Sequence, residues 1–94
     1  MSAIEVEVNV VGMFGLDSIA VGKKVSLPPG ATVKEALEAL HAAGAIDATV
    51  LAVVTKLSPP FFLVVNDEKV GKRGMSRQLA HGDVVTVMQI MAGG

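Results

Sequence analysis

The chain ends in two glycines, Gly93 and Gly94, so its C-terminal carboxylate is the group best suited to chemistry. Glycine has no Cβ, and a terminal Gly-Gly pair can therefore enter a narrow channel and approach a nucleotide phosphate without steric penalty. Ala92 before the pair is also small, and a strand-like run at 84–91 would carry all three residues clear of the domain. The alternative is a frayed end, since glycine is common in disordered termini.

The other side chains offer little chemistry. The chain has no cysteine, which excludes disulfides, thiolate metal sites, iron–sulfur clusters and thiol nucleophiles. Its two histidines, His41 and His81, are expected at the surface, and no carboxylates cluster with them, so we expect no metal site. No serine lies in a G-x-S-x-G turn. We therefore expect that the chain is not an enzyme by itself.

Composition narrows the possible partners. A chain of 94 residues makes one modest core. With a net charge of -1 and no Trp or Tyr, it is not expected to bind nucleic acid. The acidic, alternating N-terminus is unlike a signal peptide, and the longest uncharged stretches fall short of the ~18 to 20 residues that span a bilayer. We expect a cytoplasmic monomer or weak oligomer that does not bind membranes.

The first part of the chain predicts a β-hairpin. Aliphatic and polar residues alternate over Ile4–Val10, which is the period of a strand with one buried face. Gly12 and Gly15 are expected to end this strand. The alternation then resumes, so the hairpin should cover residues 4–27, with a possible bulge at 22–23.

A helix is predicted next. Thr32 and Glu35 form a capping-box pattern, apolar residues recur at helical spacing as far as Leu40, and Gly44 is a good stop. This helix should pack on the apolar face of the hairpin. Residues 45–57 fit both a helical face and an extended segment, so the type of this short element stays open.

The second half reads as further strands. The sequence predicts a strand at 61–65 buried on both faces, a turn at 66–67, a short strand at 69–70, a helical turn near 76–79 and a final strand from 84. Hairpin, helix and later strands in this order indicate an α+β fold of the β-grasp type. We expect a mixed sheet of four to five strands packed on one main helix.

The final strand also predicts a docking surface. Its alternation should place Val85 and Val87 against the helix and leave Met88 on the other face, although a core position for Met88 is the alternative. Flexible apolar side chains suit a surface that docks on more than one partner, and a basic loop is suited to steer an acidic partner. The expected docking residues are Met88, Ile90, Met91, Arg73 and Arg77.

Three segments of the chain are characteristic: Leu27-Pro28-Pro29-Gly30-Ala31-Thr32-Val33, Leu79-Ala80-His81-Gly82-Asp83 and Gln89-Ile90-Met91-Ala92-Gly93-Gly94. They resemble those of the ThiS/MoaD sulfur carriers, which are prokaryotic relatives of ubiquitin. The resemblance covers nearly the whole chain and is most specific in the final twelve residues. It implies a β-grasp domain at 1–91 and a flexible tail at 92–94. The tail is similar to that of thiamine-pathway carriers, whereas the length and the extra stretch at 45–60 are closer to the molybdopterin type.

The resemblance also implies a mechanism. In such carriers an E1-like enzyme uses ATP to adenylate the terminal carboxylate, here that of Gly94, and persulfide sulfur then displaces AMP to give a thiocarboxylate. A pathway enzyme takes the sulfur for thiamine, molybdopterin or a related sulfur metabolite, and the carrier itself binds no cofactor. Two alternatives stay open: a ubiquitin-like modifier joined through Gly94 to lysine, and a β-grasp interaction domain without C-terminal chemistry.

Overall fold

A computed structural model describes residues 2–14 and 16–89 of the chain. These residues form, in order, β1 (Ile4–Phe14), β2 (Asp17–Leu27), α1 (Val33–Ala42), α2 (Ala48–Lys56), β3 (Phe61–Val65), β4 (Glu68–Val70), a 3₁₀ helix (Lys72–Ser76) and β5 (Val84–Gln89). The strands make one sheet in the order β2-β1-β5-β3-β4. The central pair β1 and β5 is parallel, and the other neighbours are antiparallel.

The hairpin is longer and more regular than the sequence predicts. β1 and β2 pair without interruption from Ile4 opposite Leu27 to Phe14 opposite Asp17. The expectation that Gly12 ends the first strand is wrong, because Gly12 lies within the ladder. The possible bulge at 22–23 is also wrong, since both residues pair in register. Gly15 lies outside the described residues.

The predicted helix is confirmed as α1, together with its capping box. The Glu35 N–H donates to Thr32 Oγ1 at 3.3 Å, and the Thr32 N–H donates to Glu35 Oε1 at 3.1 Å. Gly44 follows the C-cap with φ +81°, a left-handed conformation that favours glycine. The helix buries one face against the sheet through Val33, Ala36, Leu37 and Leu40.

The ambiguous segment forms the second helix, α2. The Asp47 carboxylate accepts a hydrogen bond from the Val50 N–H at 2.8 Å, which satisfies one of the free donors of the first turn. Leu57 ends the helix in a left-handed conformation. Burial of Val50 and Val54 against the rest of the core outweighs the weak preference of β-branched residues for extension. Within the described ranges, neither helix is long and apolar enough to cross a membrane.

The helices cover one face of the sheet, called the inner face below. Val85 and Val87 of β5 are fully buried there, together with Leu63 of β3. The expectation that β3 is buried on both faces is wrong: Phe62 and Val64 point to the opposite, outer face and are half-buried, because neither helix covers that side.

The loop after β4 also differs from the expectation. The helical turn lies at 72–76 rather than at 76–79. Its Met75 is buried in the core, and a Cβ on Gly74 would lie 2.5 Å from Val70 Cγ2. Burial of Met75 and the close approach at Gly74 hold the turn against the inner face, and neither is a local sequence signal.

Candidate functional site

Strand β5 places Met88 on the outer face of the sheet. It lies between β1 and β3, and Met88 stands beside Val11 in the parallel register and opposite Phe62 in the antiparallel one. The side chain is half-buried. Alternation along the strand gives it this side, since Val87 points into the core.

Four apolar side chains form what we call the outer patch: Val11, Met13, Phe62 and Met88. The exposed fractions of Val11 and Met13 are 40% and 41%. The Lys69 ammonium lies 5.3 Å from the centre of the Phe62 ring, a cation–π distance. The structure thus has an apolar surface at the C-terminal end of β5, and Lys69 forms a basic margin of this surface beside Phe62.

The other end of the outer face is polar. Asn9 Nδ2 donates to Glu7 Oε2 at 3.1 Å and to Thr86 Oγ1 at 3.3 Å, and Lys24 stands opposite Glu7 in the hairpin. Along β5 the outer face therefore changes from polar at Thr86 to apolar at Met88, in the direction of the C-terminus.

The two predicted docking arginines lie on another part of the domain. Arg73 belongs to the 3₁₀ helix, which packs against α1 and the inner face. Arg77 Nη1 contacts Glu68 Oε1 at 3.1 Å in a solvent-exposed ion pair, and its carbonyl accepts from the Val33 N–H at 3.1 Å. The structure therefore does not bring either arginine together with Met88, and Lys69 is the basic residue that contacts the outer patch.

Gln89 is the last residue of β5 that the structure describes. Its side-chain Oε1 accepts a hydrogen bond from the Met13 N–H at 2.7 Å. Gly12 is buried beside it, and a Cβ on Gly12 would lie 2.6 Å from Phe61 Cε1 and 3.2 Å from Gln89 Cβ. The remaining predicted site residues, Ile90, Met91, Ala92, Gly93 and Gly94, lie outside the described residues.

Both histidines bind backbone groups. The His41 Nδ1 lies 2.8 Å from the Ile46 carbonyl oxygen, so this nitrogen carries the proton, and the half-buried ring is less exposed than expected. The exposed His81 accepts at Nδ1 from the Glu5 N–H at 3.1 Å. In the described part of the chain, no three His, Asp or Glu residues group in a way that could hold a metal ion.

The Asp83 carboxylate has a lowered pKa. The Ala80 N–H donates to Asp83 Oδ2 at 2.8 Å and Asn66 Nδ2 donates to Asp83 Oδ1 at 2.8 Å. These bonds, the backbone one first, lower the pKa of Asp83, and the nearby Arg77 charge adds to the effect while burial opposes it. The carboxylate thereby shapes the turn that enters β5.

Two grooves lie on the surface of the described part of the chain. One, of about 450 Å³, lies between residues 18–21 of β2 and the connection at 44–47. Its single charged group, Asp47, is occupied by the cap of α2. The other, of about 230 Å³, lies beside Glu5, Lys24 and His81, and the His81 acceptor is already used. Within the described residues, neither groove holds a group of side chains that could bind a metal ion.

Sequence reasoning missed three of the outer-patch residues, Val11, Met13 and Phe62. A signal for the first two was present, because the alternation of β1 continued past Val10 puts both on the face of Glu5 and Glu7. Gly12 obscured this alternation, because a glycine was expected to end the strand. No local signal pairs Phe62 with Met88, because sheet order is set by the tertiary fold.

Comparison with known proteins places the chain in a family. The model of the ThiS family matches residues 11–94. A similar solved structure is the solution structure of the Haloferax volcanii HVO 2177 protein, with 27% identity, a TM-score of 0.56, and coverage of 99% of this chain and 89% of that chain. Another is Caldiarchaeum subterraneum ubiquitin, with 15% identity, a TM-score of 0.49, and coverage of 99% and 100%. No curated protein matches the chain.

The family match runs from the end of β1 through the two terminal glycines. The mixed five-stranded sheet with α1 packed on it is the predicted β-grasp fold. Proteins of this family are small ubiquitin-like carriers that are generally not enzymes and interact with E1-like and sulfur-transfer enzymes. The chain is a ubiquitin-like β-grasp protein that belongs to the ThiS family.

Proposed function

We propose that this protein carries sulfur as a thiocarboxylate on Gly94. The family match supports this role, because it includes Gly93 and Gly94. The structural observation that carries the proposal is the position of the outer patch, which lies at the end of the sheet where β5 reaches Gln89. Five further residues separate Gln89 from the chain end, and five extended residues span at most about 18 Å.

The proposed chemistry overcomes the poor electrophilicity of a carboxylate. A carboxylate oxygen of Gly94 attacks the α-phosphorus of ATP in an E1-like enzyme and expels pyrophosphate. The terminal sulfur of a persulfide then displaces AMP, which gives an acyl disulfide, and a thiol of the sulfur-donor enzyme cleaves the S–S bond. The products are a thiocarboxylate on Gly94 and a disulfide on the donor. Orientation and charge stabilisation come from the partner enzyme.

The adenylating enzyme is proposed to dock on the outer face around Met88. Val11, Met13 and Phe62 extend that surface across three strands, and Ile90 and Met91 follow it in the sequence. Contiguous apolar surface of this kind often marks a protein contact. Arg73 and Arg77, which lie on another part of the domain, are proposed to speed association through their charge, and Lys69 is proposed as a charged rim of the outer patch because it contacts Phe62.

The proposal is tested by intact-mass analysis. After incubation with an E1-like enzyme, ATP and a persulfide donor, the mass should rise by about 16 Da as sulfur replaces oxygen in the acyl group. A variant that lacks Gly94 should gain no mass, although its thermal unfolding should match that of the full chain. Acquisition of sulfur by the truncated variant would overturn the proposal. Lysine conjugates without a thiocarboxylate would favour a ubiquitin-like modifier instead.

The acceptor pathway is proposed to be thiamine or molybdopterin synthesis, and growth assays separate the two. The gene would be expressed in one strain that lacks its own thiamine-pathway carrier and in another that lacks its molybdopterin-pathway carrier. Growth without added thiamine, or recovery of a molybdenum-enzyme activity, would identify the acceptor. The Gly94 deletion is the control in both strains and should restore neither.

A further inference from the structure

The row of β1 N–H groups that faces β5 ends in an unusual way. The Glu7 N–H donates to the Asp83 carbonyl at 3.0 Å, and Glu7 stands beside Val84 in the register. Bonds in a parallel ladder repeat every two residues on each strand. By this repeat, the Met13 N–H is expected to donate to the backbone carbonyl of Gln89. Its acceptor is instead the side-chain Oε1 of the same residue, at 2.7 Å.

The side chain thus takes the place of the main chain at the last rung. Residue pairing between β1 and β5 accordingly stops at Val11 and Met88. The backbone carbonyl of Gln89 is not needed to satisfy the Met13 N–H, because the side-chain oxygen accepts from it. Within the described residues, Gln89 is therefore the point at which backbone pairing of β5 with β1 gives way to a side-chain contact.

The surroundings of Gln89 hold this arrangement on the inner face. The absence of a side chain at Gly12 lets Gln89 Cβ and the Phe61 ring approach the β1 backbone, as the 3.2 Å and 2.6 Å distances to a hypothetical Cβ show. Phe14 stacks on Phe61 with ring centres 5.0 Å apart. Gln89 Cβ and the Phe61 ring thus both lie against the bare backbone of Gly12, and the Gln89 amide oxygen reaches the Met13 N–H.

We propose that Gln89 is a positioning residue for the C-terminal carboxylate. It fixes the point from which residues 90–94 start, and therefore the register with which they enter a partner's active site. This inference rests on the proposed function. One residue of slippage along a strand moves the chain by roughly 3.3 Å, whereas reacting atoms must lie about 3–3.5 Å apart. An error of one residue would thus remove the carboxylate from its reaction geometry.

The hydrogen bond between the Met13 N–H and Gln89 Oε1 is exposed to solvent. A test can therefore distinguish an effect on the position of the C-terminal residues from an effect on folding stability. Water can satisfy the Met13 N–H when the glutamine is removed, so the cost to folding should be small. The chemical step should become slower, because a wider range of directions for the chain after Gln89 lowers the fraction of bound molecules that are aligned for reaction. Glutamate at this position retains an acceptor oxygen and should keep the anchor, whereas alanine cannot.

The experiment compares Gln89→Ala, Gln89→Glu and Gln78→Ala. Gln78 is an exposed glutamine next to α1 and supplies a matched truncation remote from β5. The first readout is hydrogen exchange of the Met13 amide in the free protein. The second is pyrophosphate release by an E1-like enzyme, resolved into kcat and KM. For Gln89→Ala we expect exchange to rise about tenfold and kcat to fall about tenfold or more, with KM nearly unchanged.

Gln89→Glu should restore both readouts, and Gln78→Ala should alter neither. Unchanged exchange at Met13 in Gln89→Ala would overturn the anchor. Faster exchange with an unchanged kcat would overturn the positioning role while leaving the proposed function intact. A wild-type protein that releases no pyrophosphate would overturn the proposed function, and the positioning role with it.

Discussion

The side-chain amide of Asn66 donates from Nδ2 to Oδ1 of Asp83 at 2.8 Å and joins the turn between β3 and β4 to the start of β5. The amide oxygen of Asn66 accepts from the Val84 N–H at 2.9 Å, and the Ala80 N–H donates to the other oxygen of Asp83. These contacts fix the beginning of the strand whose far end carries Met88 and Gln89.

Asp83 should make folding stability depend on pH. Its pKa is lowered in the folded protein from an ordinary value of 3.8, so its contribution is present above that value and is lost as pH falls through the folded-state pKa. Asp83→Asn should therefore reduce the unfolding free energy most near pH 7 and progressively less below pH 3.8. Urea titrations of both proteins across this range would measure the difference. A constant difference at all pH values would contradict the assignment.

Asn66 should be stabilising through both its side chain and its backbone. Its φ is +51°, a left-handed conformation that costs most residues roughly 1–2 kcal/mol, and its side chain makes two hydrogen bonds. Asn66→Ala loses both contributions, and we expect a cost of about 2–4 kcal/mol. Asn66→Gly relieves the backbone and should cost less. Equal losses in the two variants by chemical denaturation would show that conformation plays no part.

Gly12 should not tolerate a side chain. Its Cβ would lie 2.6 Å from the Phe61 ring, so Gly12→Ala requires a shift of the ring and should destabilise the domain by about 1–3 kcal/mol. Gly71→Ala is the matched control, because no atom lies within 4 Å of its hypothetical Cβ and its φ is not positive. Addition of Phe61→Leu to Gly12→Ala should recover part of the loss in thermal unfolding. A Gly12→Ala variant as stable as Gly71→Ala would contradict the close packing.

Met88 should matter for binding more than for folding. On the half-buried outer face, Met88→Asp should weaken binding of the adenylating enzyme by about 2 kcal/mol or more if Met88 is a hot spot, and the domain should stay folded. Ser26→Asp adds the same charge to the exposed edge strand and should leave affinity unchanged. Val87→Asp places the charge in the core and should unfold the domain. Unfolding by Met88→Asp as well would remove the proposed docking face.

The charged rim can be located by the salt dependence of association. Arg73→Ala and Lys69→Ala each remove one positive charge, from the 3₁₀ helix and from the margin of the outer patch respectively. A rim residue should slow association and flatten its salt dependence when removed, with a smaller effect on dissociation. Stopped-flow measurements at several ionic strengths would compare the two. A response to Lys69 alone would restrict the rim to the outer face.

Much of the secondary structure could be predicted from the sequence, because it depends on residues that are close together in the chain. The alternation of β1, the Thr32–Glu35 capping box and the Gly44 stop are each read from residues a few positions apart, because short-range sterics and hydrogen bonds decide them. The position of Met88 on the outer face of the sheet followed in the same way, from its alternation with Val85 and Val87. Three short segments of the sequence also indicated the ThiS family, which the family match then showed.

The tertiary structure decided what depends on distant partners. Ala48–Lys56, within the ambiguous segment, became a helix because Val50 and Val54 are buried against elements remote in sequence. Gly12 stayed within β1, where Phe61 fills the space above it. Val11, Met88 and Phe62 form one surface only once β5 lies between β1 and β3. The Gln89 anchor likewise needs the parallel register that brings Met13 within reach. Such pairings are selected by burial over the whole domain, which local propensity does not encode.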